Sequence, residues 1–497
     1  MRMKFTTNQI IRINRVVAYL LVLALTFTLS ASFGCAKNGG ASVEAELTPQ
    51  LITTKAPTAS PELTPTISPV PVPQLKYIFL FIGDGMSTPQ IQAASEALAA
   101  ENRAPLSFVD FPVCGFAHTK NVEGEVTDSA AAATAISCGK KTTNGSLGLD
   151  PDGNRLVSIA ELLRDSGRKV GILTTVSLDH ATPAGFYAHV DSRRTYTDIA
   201  DDLFASGFDF FAGGGFHDTP DAAELAAENG YSLIQSPAVA PADTAGKLIV
   251  SSSLIFGDYG VLPAIDGGER AHFLRDVTTL AIDRLTSPQG FYMMVEGGRI
   301  DYFCHYNDAG SFVAELLDFD EAVAAAIAFY QAHPTETLIL VTGDHETGSV
   351  SFTEGDRAAL MKQTISCDEC DDTLAAQCIA AQTPFDTALP LFTEAFGLDA
   401  LTAEETAYLK TAYTHTLKGD LPSDKSNEEY GVYEPITSAC AKLVAQRAGL
   451  IFGSGSHSDL DVPVFALGVG QELFGGEYEN TYLHDGILQA IAQYPVL

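Results

Sequence analysis

Uninterrupted rather than alternating apolarity marks the strands of this chain. Tyr77 to Ile82 are apolar at every position, and the run passes directly into Gly83-Asp84-Gly85. An alternating strand buries one face, whereas a strand apolar throughout buries both, as in a parallel sheet covered by helices. The signature recurs over Val170–Val176 ahead of Asp179 and His180, over Phe291–Val295 ahead of Glu296, and over Thr337–Thr342 ahead of Asp344-His345. A fifth run, Val462–Leu467, follows a loop that carries His457. Helical stretches lie between them, among them Ser158–Asp165, closed by Gly167, and Ala271–Leu285. Strands alternating with helices predict an α/β fold, a doubly wound, mostly parallel central sheet with helices on both faces. In such sheets ligands bind beyond the carboxyl ends of the strands.

The first 74 residues do not share this pattern. Arg2, Lys4, Arg12 and Arg15 make a basic start, no acid precedes Glu44, and Val16–Leu29 is an apolar stretch of 14 residues. A membrane-spanning helix needs ~20 residues, so residues 1–35 read as a secretory signal. Ser32-Phe33-Gly34-Cys35 resembles a bacterial lipoprotein signal, with Cys35 the lipidation candidate, although Ser32 stands where leucine is usual. Residues 36–74 hold seven prolines, six threonines and no aromatic residue, a composition suited to an extended tether. The expectation is an exported protein, periplasmic or at the cell surface, lipid-anchored to a bacterial membrane, with its folded domain at 75–497.

Composition narrows the partners. The 497 residues are 46% apolar and carry a net charge of −33, the sign that repels a nucleic-acid backbone. A small anionic substrate is not excluded, because metals or an arginine can overrule the global field locally.

Candidate chemistry gathers at the strand ends. One acid after a strand is usually a turn residue; Asp84, Glu296 and Asp344 with His345 at three such ends suggest a metal site. Asp301 and His305, four apart, share one face if their segment is helical. Histidine with carboxylate suits zinc, and all-oxygen sets suit magnesium. Thr127-Asp128-Ser129 precedes the helix-favouring run Ala130–Ala135, which puts Ser129 at a helix N-terminus. Capping alone accounts for Asp128 and Ser129; beside a metal cluster, Ser129 becomes a candidate nucleophile.

Seven motifs then carry a resemblance: Gly83-Asp84-Gly85-Met86, Thr127-Asp128-Ser129-Ala130, His180-Ala181-Thr182-Pro183, Ala188-His189-Val190-Asp191-Ser192-Arg193, Val295-Glu296-Gly297-Gly298-Arg299-Ile300-Asp301, Thr342-Gly343-Asp344-His345-Glu346-Thr347 and Gly455-Ser456-His457. Over residues 76–490 the chain resembles the alkaline phosphatases. The resemblance implies hydrolysis of phosphate monoesters through a phosphoserine intermediate, with two zinc ions and one magnesium. Ser129 would be the nucleophile. Asp301, His305 and His457 would hold one zinc, and Asp84, Asp344 and His345 the other. Glu296 and Thr182 would complete a magnesium site bridged by Asp84. Arg193 would clamp phosphate through its planar fork, positioned by Asp128.

His180 and Tyr302 depart from some members of the family and are read as neighbours of the metal shell, with a third-site ligand role for His180 left open. His118, His217, His272, His333, His415 and His484 have no partners at ligand spacing and read as surface or core residues. Between His345 and His457 lie 111 residues, of which 354–450 read as a variable, partly helical insert forming a lobe near the active-site mouth or a homodimer contact. Thr402 and Glu405 make a capping-box pattern there. Cys367, Cys370, Cys378 and Cys440 fall in it and suggest one or two disulfides, while Cys138 and Cys304 read as buried thiols. A phosphodiesterase of the same superfamily, a sulfatase, or an inactive surface-binding protein on this fold are the competing readings. Arg193 argues against the diesterase, the Ser129-Ala130-Ala131 context against the sulfatase, and the complete ligand set against the inactive protein.

Overall fold

A computed structural model describes residues 73–496 apart from 241–245, 254, 257–259, 268–271 and 420–432. The expected signal with Cys35, and the tether as far as residue 72, lie outside the described residues. The core is a ten-stranded sheet of β1 (Tyr77–Gly83), β2 (Val113–His118), β3 (Lys169–Thr174), β4 (Phe210–Gly213), β5 (Tyr231–Ile234), β6 (Lys247–Ser251), β7 (Phe291–Gly297), β8 (Thr337–Gly343), β9 (Val462–Gly468) and β10 (Gly476–Glu479). Their order across the sheet is β10-β2-β9-β8-β1-β7-β3-β4-β6-β5. Every pairing is parallel except the two made by β9.

All five strands expected from the sequence are present, and β1 shows why continuous apolarity signals them. Tyr77, Phe79 and Phe81 enter one buried cluster with the helices Phe273–Leu285 and Ala309–Ala332. Ile78, Leu80 and Ile82 enter a second cluster, with the helices Ile159–Asp165, Tyr196–Ala205 and Tyr482–Gln493. Both faces are covered, so truncating a core residue such as Phe81 to alanine costs roughly 3–5 kcal/mol. β1 lies between β8 and β7 with Gly83 opposite both Gly343 and Gly297. That register brings three strand ends to one edge at the middle of the sheet.

Segment 354–450 rises from a two-stranded antiparallel stem, Val350–Phe352 with Leu450–Phe452. Its longest helix, Ala403–Lys418, opens on the capping box: the Glu405 N–H donates to Thr402 Oγ1 at 3.1 Å and the Thr402 N–H to Glu405 Oε2 at 2.8 Å. Cys367, Cys370, Cys378, Phe392, Leu409, Tyr413 and Cys440 from this segment join the first buried cluster. The disulfides expected there are absent, since all seven described cysteines are free thiols. Buried in an apolar surrounding, these four pack as small hydrophobes. Burial pushes the thiols of Cys367, Cys370 and Cys440 far up, away from the thiolate that disulfide chemistry requires. Cys138 and Cys304 are buried thiols as expected. Among the described residues no helix is long and apolar enough to cross a membrane.

Candidate active site

The centre of the sheet edge is built from three strand ends. β1 delivers Asp84, β7 carries Glu296 and β8 delivers Asp344-His345, all fully buried. The turn after β1 depends on Gly85, whose φ is +71°; a Cβ there would lie 2.8 Å from Asp301 Oδ1 and 2.9 Å from Thr347 Oγ1. Glycine thus lets the first strand end approach the short helix Arg299–His305, which presents Asp301 and His305 on one face as their spacing requires.

Ligand atoms converge in three groups, each within 4.8 Å: Asp301, His305 and His457; Asp84, Asp344 and His345; and Asp84, His180 and Glu296. In the first, His305 Nε2 and His457 Nε2 stand 3.1 Å apart, with Asp301 3.1 Å from His305 and 3.7 Å from His457. The other ring nitrogens are committed: His305 Nδ1 donates to Gly455 O at 2.8 Å and His457 Nδ1 to Thr127 O at 2.9 Å. Carbonyls accept only, so Nδ1 carries a proton in both rings and each Nε2 is the atom turned toward the other ring and Asp301.

The second group repeats this logic. Thr347 Oγ1 donates to Asp301 and therefore accepts from His345 Nδ1, at 3.3 Å. His345 Nε2 is left facing Asp344 Oδ2 at 3.2 Å, Asp84 Oδ1 at 3.5 Å and Ser129 Oγ at 3.4 Å. Burial holds His345 well below the ordinary histidine range, so it does not neutralise its acids. In the third group Thr182 Oγ1 donates to Asp84 Oδ2 at 3.3 Å and Thr174 donates to Glu296.

Charge and hydrogen bonding leave this centre incomplete. Asp84 Oδ1, Asp344 Oδ2 and Glu296 Oε1 are buried without a hydrogen-bond partner. Burial, reinforced by the neighbouring carboxylates, pushes Asp84 and Asp344 far up and Glu296 up to about 7. Against the upward pull of burial, His305 and then His457 hold Asp301 well below its ordinary value. Buried orphaned oxygens beside converging imidazole nitrogens are a donor set for cations. All three groups combine imidazole with carboxylate, and Thr182 adds a hydroxyl oxygen beside the third.

Ser129 opens the helix Ser129–Cys138, capped by Asp128, whose Oδ1 accepts from the Ala131 N–H at 3.0 Å. The other oxygen of Asp128 accepts from Gly145 N at 3.0 Å and from Arg193 Nη1 at 3.1 Å. Arg193 Nη2 donates to His180 Nε2 at 3.1 Å, and the His180 and Tyr302 rings lie 6.1 Å apart. Serine, arginine and the three ligand groups thus meet at one place.

The structure differs from the sequence reading on the remaining histidines. His118 lies 2.8 Å from Asp461 and, with Glu477, forms a further group of ligand atoms at the margin of the sheet. His217, His272, His333 and His484 pair with Asp179, Glu321, Glu336 and Asp485. Asp461, Asp179 and Glu321 lie 343, 38 and 49 positions from their histidines, where spacing along the chain gives no sign of them, whereas Glu336 and Asp485 are near neighbours in sequence.

Similarity to known proteins agrees with this centre. The chain matches the sequence profile of the alkaline phosphatase family over residues 75–209 and 254–494. The match runs through 354–450 and breaks over 210–253, where β4, β5 and β6 form one side of the sheet. Alkaline phosphatase 3 of Bacillus subtilis is 30% identical over 441 residues, covering 85% of this chain and 90% of that protein. The cold-active alkaline phosphatase of a psychrophilic Shewanella superposes with a TM-score of 0.72 at 27% identity, over 84% of this chain and 100% of that one. A histidine-to-aspartate variant of the enzyme from the Antarctic bacterium TAB5, with magnesium in its M3 site, gives a TM-score of 0.60 at 27% identity over 85% and 99%. With a profile match over most of its length and a metal-ligand centre at the strand ends, this chain belongs to the alkaline phosphatase family of metal-dependent phosphoester hydrolases.

Proposed function

We propose that the protein is an exported phosphomonoesterase that works through a phosphoserine at a centre of two zinc ions and one magnesium. The observation that carries the reading is the committed Nδ1 of three histidines, His305 and His345 buried and His457 half-buried, each with Nε2 facing carboxylates or another Nε2. Asp301, His305 and His457 hold one zinc; Asp84, Asp344 and His345 hold the other. Asp84, Glu296 and Thr182 hold magnesium, with His180 within reach of the same place. When bound, the cations supply positive charge to the attacking and leaving oxygens of an in-line displacement.

The chain's own residues do the rest. Ser129 Oγ attacks phosphorus, the bond to the leaving alcohol breaks, and water later attacks the phosphoserine to release phosphate and restore the hydroxyl. The helix N-terminus behind Ser129 favours negative charge on that oxygen. Arg193, already oriented by Asp128, offers its fork to the non-bridging oxygens. A monoester has three such oxygens and a diester two, so the fork favours monoesters. Small phosphate monoesters are the substrates, and lipid at Cys35 anchors the enzyme to the membrane.

Metal analysis together with release of phosphate from a generic monoester tests this. Chelation is expected to abolish turnover, and zinc plus magnesium to restore it. Full turnover by a verified metal-free sample refutes the reading. Anchoring is tested separately: Cys35→Ala is expected to move the protein from the membrane to the soluble fraction.

A further inference from the structure

Behind the Arg193 clamp lies a pair that the proposed chemistry does not use. Asp179, fully buried, immediately precedes His180. Its Oδ1 accepts from His217 Nδ1 at 2.8 Å and its Oδ2 from the His217 N–H at 2.8 Å, so one carboxylate grips one residue at two points. The His217 ring stacks on Tyr196, with centroids 3.8 Å apart and planes 7° from parallel. Tyr196 begins the helix Tyr196–Ala205, three residues beyond Arg193. Arg193 returns to His180 through the 3.1 Å contact of Nη2 with Nε2.

These contacts close a ring: Asp179, His217, Tyr196, Arg193, His180 and back to Asp179. The loop carrying Arg193 is otherwise tied locally by Asp128 and by the Arg193 N–H to Gly145 O, at 2.7 Å. We infer that His217 is a positioning residue for the phosphate clamp, a strut that sets the height of the Arg193 loop above His180 through Asp179 and Tyr196. The inference rests on the proposal that Arg193 holds phosphate, and it adds a residue that touches neither substrate nor metal. A guanidinium fork binds two oxygens only when both nitrogens are aimed, so a small tilt of its loop weakens phosphate binding in ground state and transition state alike. Uniform weakening raises KM and leaves kcat largely intact.

The test uses the metal-replete full chain, p-nitrophenyl phosphate as substrate and inorganic phosphate as competitive inhibitor. His217→Ala is expected to raise KM and the phosphate inhibition constant together by about 5- to 20-fold, with kcat held within about threefold and metal content unchanged. His217→Asn, which keeps an N–H donor toward Asp179 and a planar amide able to lie against the Tyr196 ring, is expected to recover most of the loss. Tyr196→Ala is expected to reproduce the His217→Ala kinetics, and the double variant to be no worse than the more impaired single. His217→Ala also leaves the buried Asp179 without its imidazole partner and lowers thermal stability; should it fail to fold, the asparagine and Tyr196→Ala variants carry the test. A purely structural role lowers the melting temperature but leaves KM and the phosphate constant at wild-type values, and that outcome overturns the inference. An asparagine variant as impaired as alanine also overturns it. If Arg193→Ala raises KM while His217→Ala does not, the strut alone is refuted; if wild-type protein hydrolyses no monoester, the proposed function fails and the strut with it.

Discussion

Arg193 illustrates how far single residues could be read. Its role, and that of Asp128 as a positioning partner, came from the family resemblance, because both lie in short motifs that carry it. Arg193→Ala removes charged hydrogen bonds contributing about 1.5–3 kcal/mol, so monoester kcat/KM is expected to fall roughly 10- to 100-fold. Zinc content should stay unchanged, and a variant with intact monoester turnover would show the assignment to be wrong. Ser129→Ala should lose the phosphoenzyme altogether, read as absence of acid-stable label after incubation with radiolabelled substrate. Asp84, Glu296 and Asp344-His345 were legible because a polar group directly after an apolar strand stands out, Asp301 and His305 because of their four-residue spacing, and His457 through the resemblance alone. The groups that set their protonation were not. Gly455 and Thr127 act through backbone carbonyls, which have no signature in a side-chain alphabet. His217 was missed because Asp179 is 38 positions away and only the fold brings them together.

At the scale of elements, length and burial decided what could be seen. β1, β3, β7 and β8 are six or seven residues long and largely buried, so their apolar runs stood out. β4, β5 and β10 have four residues each, too few for a period to declare itself. The reversed direction of β9 was not legible either, since strand polarity leaves no mark on composition. The 354–450 segment shows the same division: its capping box was readable, while the chemistry of its interior was not. Asp371 Oδ2 accepts from the Glu434 N–H at 2.8 Å, but Asp371 Oδ1 and Glu434 Oε2 are buried without partners. Burial, with the like charge of Glu434 behind it, pushes the Asp371 carboxyl up to about 7. The unfolded chain ionises there near 3.9. With the folded value raised, the folded state holds the proton longer, so this group's contribution to stability falls as pH rises from about 4 to about 7. Asp371→Asn keeps the acceptor for Glu434 and removes the repulsion. It should stabilise the protein by an amount on the order of 1–3 kcal/mol larger at pH 8 than at pH 5.5, measured by calorimetry against wild type at each pH. Equal effects at both values would count against it.

The whole molecule is held at its centre by residues that have no reason to stay together without cations. Asp84, Glu296, Asp301 and Asp344 are four buried carboxylates from three separate segments of a chain with a net charge of −33. Only Asp301 is held below its ordinary value, by His305 and His457; Asp84 and Asp344 are pushed far up, and Glu296 up to about 7. In the metal-free protein, the acids with raised values favour folding when protonated. For Glu296 that contribution is complete below the unfolded value near 4.3 and is lost as pH rises toward about 7. Asp84 and Asp344 act in the same direction. Cation binding reverses the sign, because ligands must shed their protons to bind and binding to the folded state alone adds its free energy to stability. Above the unfolded histidine value near 6.5, where the lowered His180, His345 and His457 no longer add stability with pH, the metal-free melting temperature should therefore fall as pH rises to about 8.5, while that of the zinc- and magnesium-loaded protein holds or rises, so that the gap widens with pH. Calorimetry of chelated and reloaded samples across that range measures it. A gap that closes as pH rises would mean that the buried carboxylates are satisfied by the protein alone, and the three ligand groups would then lose their claim to be a metal centre.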